Sequence, residues 1–207
     1  VTVMRLTEAN PETTPAPHRR GASHPGVVSE QPLVLADLLA ELLPQAQPLP
    51  RDEALALLRR HWGRIQARVQ QAFEARELSG LAAARWLAAL TDTLMVGIHR
   101  YTEALHPPER GEKSHALVAT GGYGRGVLAP FSDIDLLFLT DNSMSARGKK
   151  AVEFMLYLLW DLGLKVGHAT RSRSECLQEA KQDATVMTAL LDARLVAGDP
   201  AIFARFD

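Results

Sequence analysis

A glycine-rich loop is followed, after only six residues, by an apolar strand pattern that carries two aspartates. This stretch, GGYGRGVLAPFSDIDLLFL, runs from Gly121 to Leu139. The intervening Val127–Ser132 is too short for the crossover helix that parallel dinucleotide-binding folds place after a glycine loop. Ile134–Leu139 is apolar at every position except Asp135, which is typical of a strand buried on both faces along much of its length. The pattern therefore predicts a small sheet in which the glycine loop and the aspartates lie close together.

The two aspartates have the spacing of a metal-binding carboxylate pair. Asp133 and Asp135 are at i and i+2, so on a strand they would share a face, roughly 6–7 Å apart along the backbone. Two such carboxylates repel each other, and a divalent cation removes that repulsion. Oxygen ligands suit Mg²⁺, which takes its remaining ligands from water and substrate phosphates. The pair is therefore predicted to be catalytic and to hold Mg²⁺.

The loop has the features of a phosphate-binding turn. Its glycines let the backbone approach a ligand closely, and successive N–H groups in such a turn can bind an anion. These glycines are Gly121, Gly122, Gly124 and Gly126. Arg125 offers a forked donor to phosphate oxygens, and Ser132 either donates a hydroxyl to phosphate or caps the local turn. The predicted phosphate-binding residues are Gly121, Gly122, Gly124, Arg125 and Ser132.

Three better-known phosphate loops do not fit this sequence. A Walker A loop would need Lys-Ser or Lys-Thr after Gly126, where Val127 and Leu128 stand. A Rossmann fingerprint that starts at Gly122 would need a third glycine at Val127, and a kinase glycine loop fails on the same spacing.

The region before the loop is predicted to be helical. Apolar residues recur at spacings of three and four along Leu58, Trp62, Ile65, Val69 and Phe73, and Ser79 is a candidate N-cap for a second helix over Leu81–Tyr101. We expect these helices to form an antiparallel hairpin, either as a packed platform for the next domain or as a peptide-binding groove.

Elements of the remaining chain follow from the same patterns. The predicted strands are His115–Thr120, Ile134–Leu139 and Leu164–Thr170, and Leu195–Gly198 is predicted to be a last short strand or a turn. The predicted helices are Leu33–Leu43, Ala151–Leu162 and Ser174–Arg194. The last of these either continues through Asp183 or breaks near it. The segment GDPAIFARF is predicted to be the start of a further helix. The fold class is therefore α/β (α+β), a small mixed sheet with an N-terminal helical hairpin.

Three segments are expected along the chain. Residues 1–50 hold most of the 12 prolines and are predicted to be a largely disordered extension. Residues 51–110 form the hairpin, and residues 111–207 form the catalytic core. We expect that core to be truncated at its C-terminus, as in a fragment of a longer protein.

Composition excludes several other classes. Lys and Arg total 23 against 24 Asp and Glu, so no basic surplus indicates nucleic-acid binding. The chain contains one cysteine, Cys176, which makes a reducing, cytoplasmic setting the expectation. No apolar run is long enough to predict a membrane span, and the N-terminus lacks the apolar region of a secretory signal.

The motif resembles a known family. GGYGRGVLAPFSDIDLLFL is similar to the nucleotidyltransferase motif of the DNA-polymerase-β-like superfamily. The closer resemblance, which also covers LLWDLGLKVGHATRSRSECLQEAKQDATVMTALLDARLVAGD at Leu158–Asp199, is to the N-terminal domain of the bifunctional PII uridylyltransferase/uridylyl-removing enzymes of bacterial nitrogen regulation. The resemblance implies Mg²⁺-dependent transfer of UMP from UTP to a tyrosine of the PII signalling protein, with release of pyrophosphate.

Two departures from the family pattern leave questions open. Many members of the superfamily carry a third carboxylate on a later strand, but Leu164–Thr170 has no acid and offers His168 instead; Asp161 and Asp183 are other candidates. The full-length family continues into hydrolase and glutamine-sensing domains, and this chain lacks the His-Asp dipeptide of that hydrolase. Two alternatives therefore stay open: adenylyl transfer to a protein or small molecule by the same fold, and a non-catalytic nucleotide-sensing module.

Overall fold

The computed structural model describes residues 30–107, 115–141 and 144–206, with side chains from residue 35 onward. The helices are α1 Glu30–Leu42, α2 Arg51–Glu74, α3 Gly80–Leu105, α4 Gly121–Gly124, α5 Ala146–Asp161, α6 Arg173–Gln182, α7 Ala184–Leu191 and α8 Pro200–Ala204. The strands are β1 Ala116–Ala119, β2 Ile134–Thr140, β3 Val166–Ser172 and β4 Arg194–Gly198. The disorder expected over most of residues 1–50 lies largely outside the described residues.

The strands form one mixed sheet with the order β3-β2-β1-β4. β1 runs antiparallel to both β2 and β4, whereas β2 and β3 are parallel and are joined through α5. The predicted fold class, a small mixed sheet with an N-terminal helical hairpin, is confirmed.

Each face of the sheet packs against a different set of helices. Ile134, Leu136 and Phe138 of β2 belong to a large core that includes the buried side chains of α1, α2, α3 and α5. Leu137 and Leu139 point to the opposite face, where they pack in a smaller core with residues of α6 and α8. This alternation places Asp135 on the face of the smaller core.

The hairpin helices begin and end close to where their patterns predict. Ser79 caps α3 by accepting a hydrogen bond from the Ala82 N–H at 3.2 Å, which confirms the predicted N-cap. Leu58, Ile65 and Val69 of the α2 stripe are buried, but Phe73 is 51% exposed. The exposed ring lies on the rim of a groove of about 570 Å³ between α2, α3 and the loop that precedes β2.

One helix, α3, is long and apolar enough to cross a membrane by those two criteria alone, among the residues that the structure describes. Of its most apolar window, 56% is buried inside the protein, as in the core helix of a globular domain.

Local caps account for two of the differences from the predicted boundaries. α5 begins at Ala146 rather than Ala151, because Ser145 caps it by accepting from the Gly148 N–H at 2.9 Å. β3 begins at Val166 rather than Leu164, because the N–H groups of Gly163 and Leu164 bond back to α5 in a Schellman motif.

The long helical stretch after β3 is broken at Asp183. This residue ends α6 and caps α7, accepting from the Thr185 N–H at 2.7 Å. The sequence had left open whether the helix continues through this position, and the structure shows that it does not.

Candidate active site

The glycine loop forms a single helical turn at the end of a central strand. β1 ends at Ala119, and α4 begins directly at Gly121 with Thr120 as its N-cap residue. Gly121 has φ of +56° and Gly126 has φ of +69°, so both occupy the left-handed region that glycine adopts without strain. The helical turn therefore starts at Gly121, the first glycine of the loop.

The two aspartates lie at the beginning of the neighbouring strand. Asp135 is the second residue of β2 and is partly buried, whereas Asp133 is exposed and lies just before the strand. The pKa of Asp135 is raised above its usual value, first by burial and then by the negative charge of Asp133. The expected repulsion between the carboxylates is thus present, although only Asp135 belongs to the strand.

Backbone contacts bring the aspartate strand and the loop together. The Thr120 N–H donates to the Asp135 carbonyl at 3.1 Å. A Cβ built on Gly121 would lie 3.1 Å from Asp135 Oδ2, so the carboxylate sits directly beside the first residue of the turn. The structure therefore joins the two halves of the predicted site, Gly121 and Asp135, in one place.

Arg125 is held by a partner that the sequence analysis did not identify. Its Nη1 donates to Asp192 Oδ2 at 2.6 Å, and its side chain is 56% exposed. The other terminal nitrogen, Nη2, lies 3.8 Å from the position that a Cβ on Gly122 would occupy. The guanidinium is thus tethered on one side and faces the glycine loop on the other.

Ser132 caps the local turn, one of the two roles predicted for it. Its Oγ donates to the Ala129 carbonyl at 2.9 Å, and its backbone N–H points to the same oxygen at 3.2 Å. The hydroxyl would have to give up this bond in order to donate to a phosphate.

None of the three candidates for a further acid or base is brought to Asp135 by a contact between described residues. His168 is paired in register with Leu136, which points to the opposite face from Asp135, and its ring lies 5.8 Å from that of Trp160. Asp161 is bonded to Arg51 at the start of α2. Asp183 caps α7, and the backbone N–H groups that it accepts from lower its pKa.

The residue that does face Asp135 from the adjacent strand is a glycine. Asp135 and Gly167 are register partners in the parallel pair of β2 and β3. A Cβ on Gly167 would lie 2.5 Å from Asp135 Oδ1. Sequence reasoning missed this residue because its role depends on the pairing of strands that are far apart in the chain.

The carboxylates of the site supply some, but not all, of the ligands that a hard divalent cation needs. Asp133 and Asp135 supply two carboxylates, and among the described residues no group of three His, Cys, Asp or Glu side chains could enclose a metal. Mg²⁺ is commonly held by one or two carboxylates together with waters and substrate phosphates. The pair is thus suited to a cation that arrives with a nucleotide, and the two glycines beside Asp135 leave room around that carboxylate.

A partly buried polar network anchors the loop from behind. The Tyr123 hydroxyl donates to Asp92 Oδ1 at 2.6 Å, and Arg194 binds both oxygens of Asp92 at 2.8 and 3.1 Å. Arg194 also donates to the carbonyls of Tyr123 and Gly124, at 3.3 Å in each case. Burial and the Asp92 carboxylate raise the pKa of Tyr123 well above its usual value. No sequence motif signals this network, which ties α3 and β4 to the loop.

Residues 109–194 match the family model described as a nucleotidyltransferase domain. This chain contains a nucleotidyltransferase domain. It is 47% identical over 149 residues to the bifunctional uridylyltransferase/uridylyl-removing enzyme of Gluconobacter oxydans, an alignment that covers 72% of this chain and 16% of that protein. It is 46% identical over 124 residues to the protein of that name from Phenylobacterium zucineum, with 58% of this chain and 13% of that protein covered.

A third relative with the same name, from Caulobacter vibrioides, is 45% identical over 125 residues, covering 58% of this chain and 13% of that protein. These matches confirm the resemblance found in the motif. In each case the chain spans less than a fifth of the relative's length.

Proposed function

We propose that this chain catalyses Mg²⁺-dependent transfer of UMP from UTP to a tyrosine hydroxyl of a PII-type nitrogen-regulatory protein, with pyrophosphate as the leaving group. The observation that carries the proposal is the Asp135 carboxylate lodged beside Gly121, the first residue of the glycine turn. The name uridylyltransferase, borne by relatives at 45–47% identity, supports this choice of nucleotide. The single cysteine fits a cytoplasmic location for the reaction.

Each site residue has a role in this proposal. Asp133 and Asp135 hold the cation, which when bound neutralises charge on the phosphates and on the leaving group. The backbone N–H groups of Gly121 and Gly122 bind phosphate oxygens, and the Nη2 side of Arg125 lies next to Gly122. The Gly124 N–H donates to the Thr120 carbonyl at 2.9 Å, so Gly124 serves the site by shaping the turn. Ser132 contacts phosphate after exchanging its bond to the Ala129 carbonyl.

The chemistry is an in-line displacement at phosphorus. The tyrosine oxygen forms a bond to the α-phosphorus of UTP while the bond from that phosphorus to the bridging oxygen of pyrophosphate breaks, and the phenolic proton is released. The two carboxylates and the loop position the triphosphate and stabilise the charge that builds up on it. Nucleic acid and membrane have no part in this reaction.

A labelling experiment tests the proposal. The chain is incubated with Mg²⁺, a PII protein and either UTP or ATP labelled at the α-phosphate. We expect label on PII from UTP, and a loss of at least about 100-fold in Asp133→Asn and Asp135→Asn, because each removes a charge from the cation site. Glu153→Gln on the exposed face of α5 is the matched control and should keep full activity.

Other outcomes of this experiment would favour the alternatives. Label from ATP alone would replace uridylyl transfer with adenylyl transfer. Retained UTP binding without transfer, with the longer protein active under the same conditions, would indicate a nucleotide-sensing role for this chain.

A further inference from the structure

Gly167 is the β3 residue that pairs with Asp135 of β2 in the sheet. β2 and β3 begin together, with the Ile134 N–H donating to the Lys165 carbonyl at 2.9 Å, and the register continues directly to the Asp135–Gly167 pair. A Cβ at Gly167 would lie 2.5 Å from Asp135 Oδ1, closer than real Cβ contacts come. The carboxylate therefore occupies the space that any side chain at this position would need.

The backbone conformation does not explain why position 167 is occupied by glycine. The described glycines with positive φ are Gly121, Gly126, Gly163 and Gly198, so Gly167 has a conformation that any residue can adopt. A glycine within a strand weakens that strand and often marks a place where a ligand or another group approaches closely. At Gly167 the approaching group is the Asp135 carboxylate.

The two oxygens of Asp135 are bounded by glycines on opposite sides. Gly121 lies beside Oδ2 and Gly167 beside Oδ1. The next residues of β3 on the same face are Ala169 and Arg171, so β3 places no acid there. Gly167 is also exposed, which leaves the sheet surface next to the carboxylate open to solvent.

We infer that Gly167 is a positioning residue, whose missing side chain sets the orientation of the Asp135 carboxylate for cation binding and keeps the adjacent surface free for substrate. This inference rests on the proposed cation-dependent transfer. A side chain at position 167 would push the carboxylate away from Gly121 and from the loop, and a misplacement of about 1 Å in such a site can cost about 100-fold in rate.

The first measurement tests the contact without any catalysis. Melting temperatures are compared for the wild type, Gly167→Ala, Asp135→Ala and the double variant. We expect Gly167→Ala to lower the melting temperature when Asp135 is present and not to lower it in Asp135→Ala, where the clash is absent. An equal effect in both backgrounds would overturn the inference.

The second measurement separates positioning from a merely structural role. Binding of Mn²⁺ to the wild type and to each variant is followed by electron paramagnetic resonance. For the same proteins, two kinetic quantities are measured: kcat and the Mg²⁺ concentration that gives half-maximal transfer. Gly167→Ala is expected to weaken Mn²⁺ binding at least tenfold and to lower kcat about 100-fold. The matched control is Gly63→Ala on α2, where a Cβ meets no atom within 4 Å and neither quantity should change.

Two results would count against the inference directly. Mn²⁺ affinity within twofold of wild type in Gly167→Ala would overturn it, as would a wild-type chain that binds no Mn²⁺ at millimolar concentration. Failure of the proposed function gives a different pattern: no transfer to PII by the wild type, with Mn²⁺ binding still lost in Gly167→Ala.

Discussion

At the scale of single residues, the buried His99 and the partly buried His115 are expected to make the fold sensitive to acid. His99 of α3 and His115 before β1 lie with their ring centres 5.2 Å apart, and His115 also packs against Phe138 of the central strand. Burial lowers the pKa of each from 6.5 to about 4, helped at His99 by Arg100 and at His115 by His99. Both imidazoles are therefore neutral inside the folded protein at neutral pH.

This pair predicts a loss of stability in mild acid. An unfolded chain takes up protons on histidine near pH 6.5, whereas the folded protein takes them up only near pH 4. The unfolded state thus binds more protons between these values, so the free energy of unfolding should fall as pH drops from about 6.5 to about 4. Denaturant unfolding at a series of pH values measures this slope.

A substitution at His99 isolates the contribution of this residue to the pH dependence of the free energy of unfolding. Neither ring nitrogen of His99 makes a hydrogen bond among the described residues, and the Glu103 carboxylate lies 3.5 Å from Nδ1. His99→Leu should therefore keep the fold while flattening the pH dependence of the free energy of unfolding. His106→Leu, at the end of the same helix and partly exposed, is the control. An unchanged slope in His99→Leu would show that other groups cause the acid sensitivity.

At the scale of elements, the loop before β2 holds a strained residue next to the site. Phe131 has φ of +65°, and its side chain is 87% exposed. A left-handed backbone is uncommon for a bulky residue and is often found near functional sites. The Ser132 cap on the Ala129 carbonyl closes this turn just before Asp133. Phe131 also lines the groove between α2, α3 and this loop.

We predict that this strain can be measured by comparing two substitutions. Phe131→Ala and Phe131→Gly both remove the ring, but only glycine adopts the left-handed conformation without cost. The glycine variant should therefore be more stable than the alanine variant by about 1 kcal/mol in chemical denaturation. Equal stabilities would mean that the turn relaxes once the ring is removed.

At the scale of the whole molecule, the Asp92–Tyr123–Arg194 network joins the hairpin, the glycine loop and the last strand. Arg194 bridges from β4 to Asp92 on α3, and its guanidinium lies 5.5 Å from the centre of the Tyr123 ring. The side chains of Asp92 and Arg194 are only partly exposed, so water competes less for their hydrogen bonds than it would on an open surface. The network fixes the position of the loop relative to the helices behind it.

Breaking the network should affect stability and nucleotide binding together. Asp92→Asn removes the charge that pairs with Arg194, and we expect the free energy of unfolding to fall by about 2 kcal/mol. UTP affinity, measured by calorimetry, should fall as well because the loop is less well fixed. Glu153→Gln serves as the surface control; a destabilised Asp92→Asn with wild-type UTP affinity would show that the loop does not depend on this anchor.

The sequence by itself determined the features that depend on neighbours along the chain. The Ser79 cap and the buried stripe of α2 follow from interactions within a few residues, which a linear pattern records. The proximity of the glycine loop to Asp135 was also predictable, because a six-residue connection cannot carry the two elements far apart. The same local logic, together with the family motif, indicated a nucleotidyltransferase domain.

Tertiary structure alone decided which distant side chains meet. Arg125 finds Asp192, Asp92 finds Arg194, and Gly167 comes to face Asp135 only after the sheet and helices have packed. The Gly167–Asp135 contact depends on strand register, and a one-residue shift would turn Gly167 to the other face of the sheet. The histidine that the sequence offered as a possible active-site group thus lies on the far side of the sheet, because parallel pairing aligns it with Leu136 and places a glycine beside the aspartate.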